Sequence, residues 1–291
     1  MNTMTGCDSG HIREAVEDIK KKKPEFNLML DLYEKIFIAQ ENARRIIKLP
    51  DFIIPEETLS VKLKEKFPLV DISQFPIDHK VSGELFDEIC DILTAEENEL
   101  SDAVKKITAL SSVNKIDKVS LFSSFLKEDE SAYNEIEDKF RIDKQILGFV
   151  IYNALRPSIS LFSEKISVYL KDLNEWGKGY CPVCGSAPEI SVFEDNGKRL
   201  LACGFCGHKW DSKRIYCPFC ENADHETLKY YDIEGEEEYR VDLCEKCKKF
   251  IRTIDIKKTT RKIYLPLESK STPYLDLKFG KMGYRPGNIR D

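Results

Sequence analysis

The sequence has no long hydrophobic run. Within its 291 residues, nothing approaches the roughly 18 consecutive apolar residues that indicate a membrane-spanning helix. The N-terminal stretch MNTMTGCDSGHIREAVEDIKKKK also lacks the apolar core of a secretory signal. We therefore expect a protein without a membrane partner, located in the cytoplasm, where thiols are kept reduced and disulfides are rare.

The sequence also lacks a strongly basic region. Residues 1–175 contain 24 Lys and Arg against 33 Asp and Glu, a net charge of −9, and residues 176–291 contain 21 against 18, a net charge of +3. Proteins that bind nucleic acid usually carry a concentrated basic patch. This balance therefore predicts no nucleic-acid partner.

Familiar catalytic motifs are absent from the sequence as well. It has no Walker loop, no Gly-rich dinucleotide fingerprint and no arrangement of a nucleophile with a base. We therefore expect no catalytic residues and no enzymatic activity.

What the sequence does have is cysteine, mostly in one pattern. Eight of its ten cysteines form four CxxC pairs, which in a reducing compartment indicates metal binding before disulfides. The segment CPVCGSAPEISVFEDNGKRLLACGFCGHKW and the segment CPFCENADHETLKYYDIEGEEEYRVDLCEKCKKFI have the same order of parts. Each has a CPxC pair, a strand, an acidic turn, a strand and a second CxxC pair. The predicted metal ligands are therefore two sets of four: Cys181, Cys184, Cys203 and Cys206, then Cys217, Cys220, Cys244 and Cys247.

The physical reason for this spacing is the turn that a CPxCG segment makes. Proline fixes φ after the first cysteine, and glycine permits a positive φ after the second, so both sulfurs point to one position. A hairpin then returns the chain with a second pair, which completes a tetrahedral four-sulfur cage. We expect two metal ions, zinc or iron, and ligand type does not separate these metals. Pairing within each repeat is favoured over crossed pairing, which stays open.

Such sites are typically structural, because a closed four-sulfur cage leaves no open coordination position. A module of about forty residues buries too little apolar surface to be stable without a metal. His208 and His225 lie near the cysteines, but both ligand sets are already complete, so we expect neither histidine to be a ligand.

The two ends of the chain have different patterns. Residues 1–175 predict a helical bundle, including a helix that begins at Pro24 and has a periodic apolar face: Leu28, Leu32, Ile36, Ala39, Ala43 and Ile47. The most apolar stretch, around Pro157, predicts either two helices or one kinked helix. After Trp176 the short runs EISVF, RLLAC, TLKYY and EYRVDL predict strands, with hairpin turns at DNGK and EGEE.

The predicted fold is therefore multidomain, a helical bundle followed by two small metal-bound β modules. We place the domains at residues 1–175, 176–214 and 215–265, with a C-terminal tail at 266–291 that docks on the rest.

The knuckles CPVCGSAP, CGFCGHKW, RIYCPFC and LCEKC resemble, in order and spacing, the formate dehydrogenase accessory protein family. The tail YLDLKFGKMGYRPGN is also similar to that family's ending. The resemblance covers residues 176–291 and implies an orphan helical domain followed by two rubredoxin-like modules. The fourth knuckle, CEKCKK, departs from the pattern because no glycine follows its second cysteine.

The resemblance implies a non-enzymatic maturation factor that binds the catalytic subunit of a formate dehydrogenase in the cytoplasm. There it assists or checks assembly before export. Two alternatives belong to other classes. A zinc-ribbon nucleic-acid-binding protein conflicts with the charge balance, and a CxxC thiol oxidoreductase needs a pair free of metal with a lowered thiol pKa.

Overall fold

The structure is a computed structural model that describes residues 8–95, 100–113, 115–171, 173 and 175–288. Its contacts divide the chain into two compact units. The first comprises Met1–Asp51 with Asp71–Phe162, and the second comprises Phe52–Val70 with Ser163–Asp291. The second unit thus includes a segment from the part of the chain that we predicted to be helical bundle.

The described part of the N-terminal half is helical. Its helices are α1 (Ser9–Lys22), α2 (Asn27–Arg44), α3 (Glu56–Glu65), α4 (His79–Thr94), α5 (Ser101–Ser112), α6 (Lys118–Leu126), α7 (Ser131–Phe140) and α8 (Lys144–Ile166). Short 3₁₀ turns lie at Pro24–Phe26, Ile72–Gln74 and Ser167–Leu170. Aspartates at the N-caps of α1, α4 and α6 accept backbone N–H bonds, which satisfies donors that the first turn leaves free. In the first unit α2 packs against α1 and α4, and α4 packs against α5.

Helix α8 is a single helix that continues through Pro157. Proline has no N–H, so the carbonyl of Asn153, four residues earlier, loses its helical donor. The buried side chain of Gln40 supplies one, with its Nε2 lying 2.9 Å from the Asn153 carbonyl oxygen. A partner from another helix thus satisfies the backbone group that the proline leaves free.

Helix α8 is also the one described helix that is long and apolar enough to cross a membrane. The segment Lys144–Leu170 meets this test by length and composition, but 61% of its most apolar window is buried inside the protein. Burial of this kind is typical of a core helix.

The second unit is built on one mixed sheet. Its described strands are β1 (Pro188–Phe193), β2 (Arg199–Cys203), β3 (Lys209–Ser212), β4 (Leu228–Ile233), β5 (Glu236–Cys244), β6 (Lys249–Asp255) and the short β7 (Arg285–Pro286). The strand order is β3-β2-β1-β6-β5-β4, and β7 pairs with β6. The predicted strands EISVF, RLLAC, TLKYY and EYRVDL are confirmed as β1, β2, β4 and β5.

Each cysteine repeat forms an antiparallel three-stranded meander, and the two meanders are joined. Strand β1 of the first repeat pairs in parallel with β6 of the second, with Ile190 opposite Arg252 and Phe193 opposite Asp255. The two repeats therefore share one sheet. The boundary that we placed between residues 214 and 215 stays a prediction.

The C-terminal tail packs on this sheet. It contains α9 (Leu265–Lys270) and α10 (Tyr274–Lys281). Leu275 and Phe279 of α10 are fully buried in a core cluster with sheet residues that include Val241 and Ile254. The apolar side chains of the tail therefore complete the hydrophobic core of the second unit.

Candidate metal centres

All four CxxC pairs form the same backbone turn. In the first knuckle the Gly185 N–H donates to the Cys181 carbonyl at 2.8 Å, and the Cys181 N–H donates to the Ser186 carbonyl at 2.9 Å. The Glu221 N–H donates to the Cys217 carbonyl in the third knuckle at 2.9 Å. Equivalent bonds from the residue after the second cysteine close the second and fourth knuckles.

The residue that follows each second cysteine has a positive φ. In the two knuckles of the first repeat these residues are Gly185 (φ 79°) and Gly207 (φ 76°). In the two knuckles of the second repeat they are Glu221 (φ 58°) and Lys248 (φ 56°). A residue with a Cβ pays roughly 1–2 kcal/mol for this left-handed conformation. The departure from glycine therefore affects both knuckles of the second repeat, and the fold retains the turn in both.

The turns bring the predicted cysteines together in two clusters. In the first, the Sγ of Cys184 lies 3.5 Å from that of Cys203 and 3.6 Å from that of Cys206, and Cys181 lies 3.7 Å from Cys206. In the second, the Sγ atoms of Cys217 and Cys247 are 3.6 Å apart, as are those of Cys220 and Cys244. Within each cluster all sulfurs lie within 4.8 Å of one another. The sets follow the repeats, not the crossed pairing.

These distances fit a tetrahedral metal site. Metal–sulfur bonds of about 2.3 Å at the tetrahedral angle place neighbouring sulfurs about 3.8 Å apart. A disulfide requires about 2.05 Å, which is far shorter than any of the separations here. Both clusters can therefore hold a metal ion, and four sulfurs suit zinc and iron equally.

Burial makes free thiolates unfavourable at two positions of the first cluster. Burial raises the pKa of the Cys181 and Cys203 thiols well above the usual range, because thiolates at these positions lose contact with water. A bound divalent cation reverses this effect and holds the ligands deprotonated. In the second cluster burial opposes ionisation of Cys244, but backbone N–H bonds and the Asn222 side chain lower its pKa to about 7.

A buried arginine ties the two repeats together. Arg199 of β2 is 1% exposed. Its guanidinium donates to the carbonyl of Tyr216 at 2.8 Å, just before the third knuckle, and to the Asp242 carboxylate of β5 at 3.3 Å. Its Nε also donates to the Ser191 hydroxyl at 2.9 Å. Sequence reasoning did not identify Arg199, because an arginine within a strand pattern gives no signal of burial.

A segment distant in sequence covers the first knuckle. The N–H groups of Leu69 and Val70 donate to the carbonyls of Pro182 and Val183 at 2.8 and 3.0 Å. The Pro68 ring lies so close to Gly185 that a Cβ there would be 3.0 Å from it. Nothing in the sequence around residues 66–70 signals this pairing, which depends on contacts made only in the folded chain.

Two glycines pack closely against the third knuckle, in the second repeat. A Cβ on Gly179 would lie 1.8 Å from the Pro218 carbonyl oxygen, and a Cβ on Gly287 would lie 2.0 Å from the Phe219 ring. Glycine is thus required at both positions, because the backbone itself contacts the third knuckle.

Neither histidine belongs to a sulfur cluster. His208 contributes its carbonyl, which accepts the Cys203 N–H at 2.9 Å. Burial lowers the pKa of its side chain to about 4, so the imidazole is neutral at neutral pH. His225 is exposed. Among the residues that the structure describes, each of the two clusters consists of four cysteines.

The fold and site define a class of protein: a helical protein with a mixed sheet that presents two four-cysteine metal-binding clusters. Comparison with known proteins narrows this class. The family described as "FdhE, central domain" matches residues 180–214, which contain the complete first cluster.

Relatives extend the match beyond the knuckles. The chain is 27% identical to the FdhE homolog of Aquifex aeolicus over 272 residues, which cover 91% of this chain and 88% of that protein. It is 30% identical to the FdhE homolog of Edwardsiella ictaluri over 113 residues and 28% identical to FdhE of Escherichia coli K12 over 114 residues. Each of these two matches covers 38% of this chain and 36% of the relative.

The fold is shared with a solved structure. The crystal structure of the FdhE protein from Pseudomonas aeruginosa superimposes with a TM-score of 0.67 over 98% of this chain and 96% of that chain, at 16% identity. The resemblance that the knuckles predicted is thus confirmed: this chain is similar to FdhE proteins in its first cluster, in its sequence and in its fold.

Proposed function

We propose that this protein is a non-enzymatic maturation factor that binds the catalytic subunit of a formate dehydrogenase in the cytoplasm. There it assists or checks the assembly of that subunit before export. The observation that carries the proposal is the resemblance to an FdhE homolog over 91% of the chain. The shared fold of the Pseudomonas aeruginosa FdhE protein shows that the similarity is not confined to the knuckles.

The geometry of the clusters supports a binding role over a catalytic one. Each cluster supplies four sulfurs to one position, so a bound metal has its full set of four ligands and no open position for a substrate. Zinc or iron at these eight cysteines holds four knuckles in place, and the sheet between them forms a fixed surface. In this proposal the metal ions have a structural role in the second unit, and the function of the protein is to bind its partner.

A deletion strain of the source organism tests the proposal. We expect membrane-linked formate oxidation to be lost while the catalytic polypeptide is still synthesised, and a plasmid-borne copy of the chain to restore the activity. Cys217→Ser should fail to restore it. His225→Ala should succeed, because it alters an exposed side chain near the same knuckles that is not a ligand. Full activity in the deletion strain would refute the proposal.

A second experiment examines the partner directly. The tagged chain, cross-linked in native cells, should retain the formate dehydrogenase catalytic subunit, as read by mass spectrometry. The purified chain should not oxidise formate with an artificial electron acceptor. Turnover by the purified chain, or retention of nucleic acid in place of the subunit, would contradict the proposal.

A further inference from the structure

The two clusters differ in how far their sulfurs are shielded from solvent. All four cysteines of the first cluster are buried, with Cys184 the most exposed at 7%. In the second cluster Cys217 and Cys244 are buried, but Cys247 is half-buried and Cys220 is exposed. Both ligand sets consist of four cysteines, so the clusters differ in how easily solvent and dissolved ligands reach their sulfurs.

The contacts around each cluster account for this difference. The first knuckle is covered by the chain at Pro68 and by the backbone bonds of Leu69 and Val70. The Ser163 hydroxyl also donates to the Cys206 sulfur at 3.3 Å. In the third knuckle, Gly179 and Gly287 pack against Pro218 and Phe219. These contacts lie on the residues between the two cysteines, and Cys220 stays exposed.

The backbone of the second cluster adds to the contrast. Both of its knuckles place a residue with a Cβ in the left-handed conformation, Glu221 beside Cys220 and Lys248 beside Cys247. The same positions of the first cluster hold Gly185 and Gly207. A knuckle that opens in the second cluster relieves strain of roughly 1–2 kcal/mol, whereas opening a glycine knuckle relieves none. The strained knuckles are thus the ones that carry the two more exposed sulfurs.

We infer that the second cluster is an exchangeable metal site, entered at Cys220 by a competing ligand such as a thiolate or a chelator, while the first cluster retains its metal. An incoming thiolate sulfur bonds to the metal as the bond to the Cys220 sulfur breaks. The Cys220 thiolate leaves and takes a proton from water. Four sulfurs remain on the metal, and no electron is transferred. The inference rests on metal binding by both clusters and does not depend on the identity of the client.

The test uses the full-length chain loaded with zinc and mixed with an excess of the zinc-binding dye 4-(2-pyridylazo)resorcinol. We expect two equivalents of zinc in total, with one released at least tenfold faster than the other. Cys220→Ser should lack the fast phase and keep the slow one. Cys184→Ser, the matched change in the first repeat, should lack the slow phase and keep the fast one.

A second measurement uses the unaltered protein, so it does not depend on whether a variant folds. Timed alkylation with N-ethylmaleimide, mapped by mass spectrometry, should label Cys220 and Cys247 before any cysteine of the first cluster. Release of both equivalents in one phase, or first labelling at Cys181 or Cys206, would overturn the inference. A total below two equivalents would instead contradict metal binding itself, so the two failures are distinguishable.

Discussion

At the scale of single residues, the positions after the second cysteines show how one turn is built from different amino acids. The first repeat uses Gly185 and Gly207, and the second uses Glu221 and Lys248, yet all four have a positive φ. The four sulfurs and the shared sheet fix each turn strongly enough to impose this conformation on glutamate and lysine. Local propensity is therefore overruled by tertiary constraints at these two positions.

Replacing Lys248 by glycine should stabilise the metal-loaded protein by about 1 kcal/mol, because glycine adopts the left-handed conformation without steric strain. The measurement is denaturant unfolding. Gly207→Ala is the matched reverse change, because a Cβ there meets nothing within 4 Å. It should cost a similar free energy through φ alone. Stabilisation in both variants, or in neither, would contradict this account of the knuckles.

The buried guanidinium of Arg199 is the second feature at this scale. Replacing Arg199 by methionine removes the donors to the carbonyls before the third knuckle and leaves Asp242 without one of its cations. We expect a loss of about 3 kcal/mol in the free energy of unfolding. Arg214→Met changes an exposed side chain in the segment whose carbonyls accept from Arg199, and it should change stability little. Equal effects in the two variants would show that the buried pairing is unimportant.

At the scale of elements, α8 illustrates how a helix tolerates an internal proline. Gln40 of α2 donates to the Asn153 carbonyl that Pro157 cannot serve. Sequence reasoning left two possibilities open at Pro157, one kinked helix or two helices. The deciding group, a glutamine 117 positions away in sequence, has no local signature.

A double-mutant cycle tests this link. Gln40→Leu should cost about 1–3 kcal/mol, because the buried Asn153 carbonyl then has no donor. In a Pro157→Ala background the same change should cost less, because the N–H of alanine at position 157 can donate to that carbonyl. Thermal or denaturant unfolding of the four proteins gives the coupling. An identical cost of Gln40→Leu in both backgrounds would contradict the explanation.

The strands divide into those that the sequence predicts and those that it does not. β1, β2, β4 and β5 lie between cysteine pairs and have hydrophobic runs bounded by clear turns, with positive φ at Gly197 and Gly235. β3 and β6 follow the last knuckle of each repeat. Their pattern is masked because KKFIRTID and HKWDS mix apolar residues with charged ones, although Phe250 and Ile254 are buried.

The buried apolar face of helix α2 is also predicted in part. Ile36, Ala39 and Ala43 of α2 are buried as expected, but Leu28 is 80% exposed. Helix α2 starts at Asn27, after a separate turn at Pro24–Phe26. The periodicity that includes Leu28 therefore extends beyond the part of the helix that packs. The grouping of the cysteines into two sets of four is predicted in full because the spacing of CxxC pairs fixes it, whereas packing depends on which surfaces meet.

At the scale of the whole molecule, the chain consists of two compact units with different sources of stability. The first has a core of helices, including Phe37 and Phe86, which are fully buried. The second has the sheet, the tail and both clusters. Because β1 and β6 join the repeats, a metal ion in either cluster would support one shared sheet, and the helical core lies in the other unit.

Removing metal should therefore affect the two units unequally. Hydrogen exchange of the full chain after chelation should show faster exchange in β1, β2, β5 and β6, with little change in α2 and α4, because metal binding is folding free energy only for the unit that holds it. Mass spectrometry of peptic fragments gives the comparison. Equal loss of protection in α2 and β5 would show that the units share their stability.

The central claim is that each four-cysteine cluster binds one metal ion. Native mass spectrometry of the purified chain, with elemental analysis, tests it most directly. We expect two ions of zinc or iron per chain, one in Cys181→Ser, one in Cys217→Ser and none in the double variant. His225→Ala serves as the control and should keep two. A chain with disulfides in place of metal, or with one ion that survives both cysteine changes, would contradict the account.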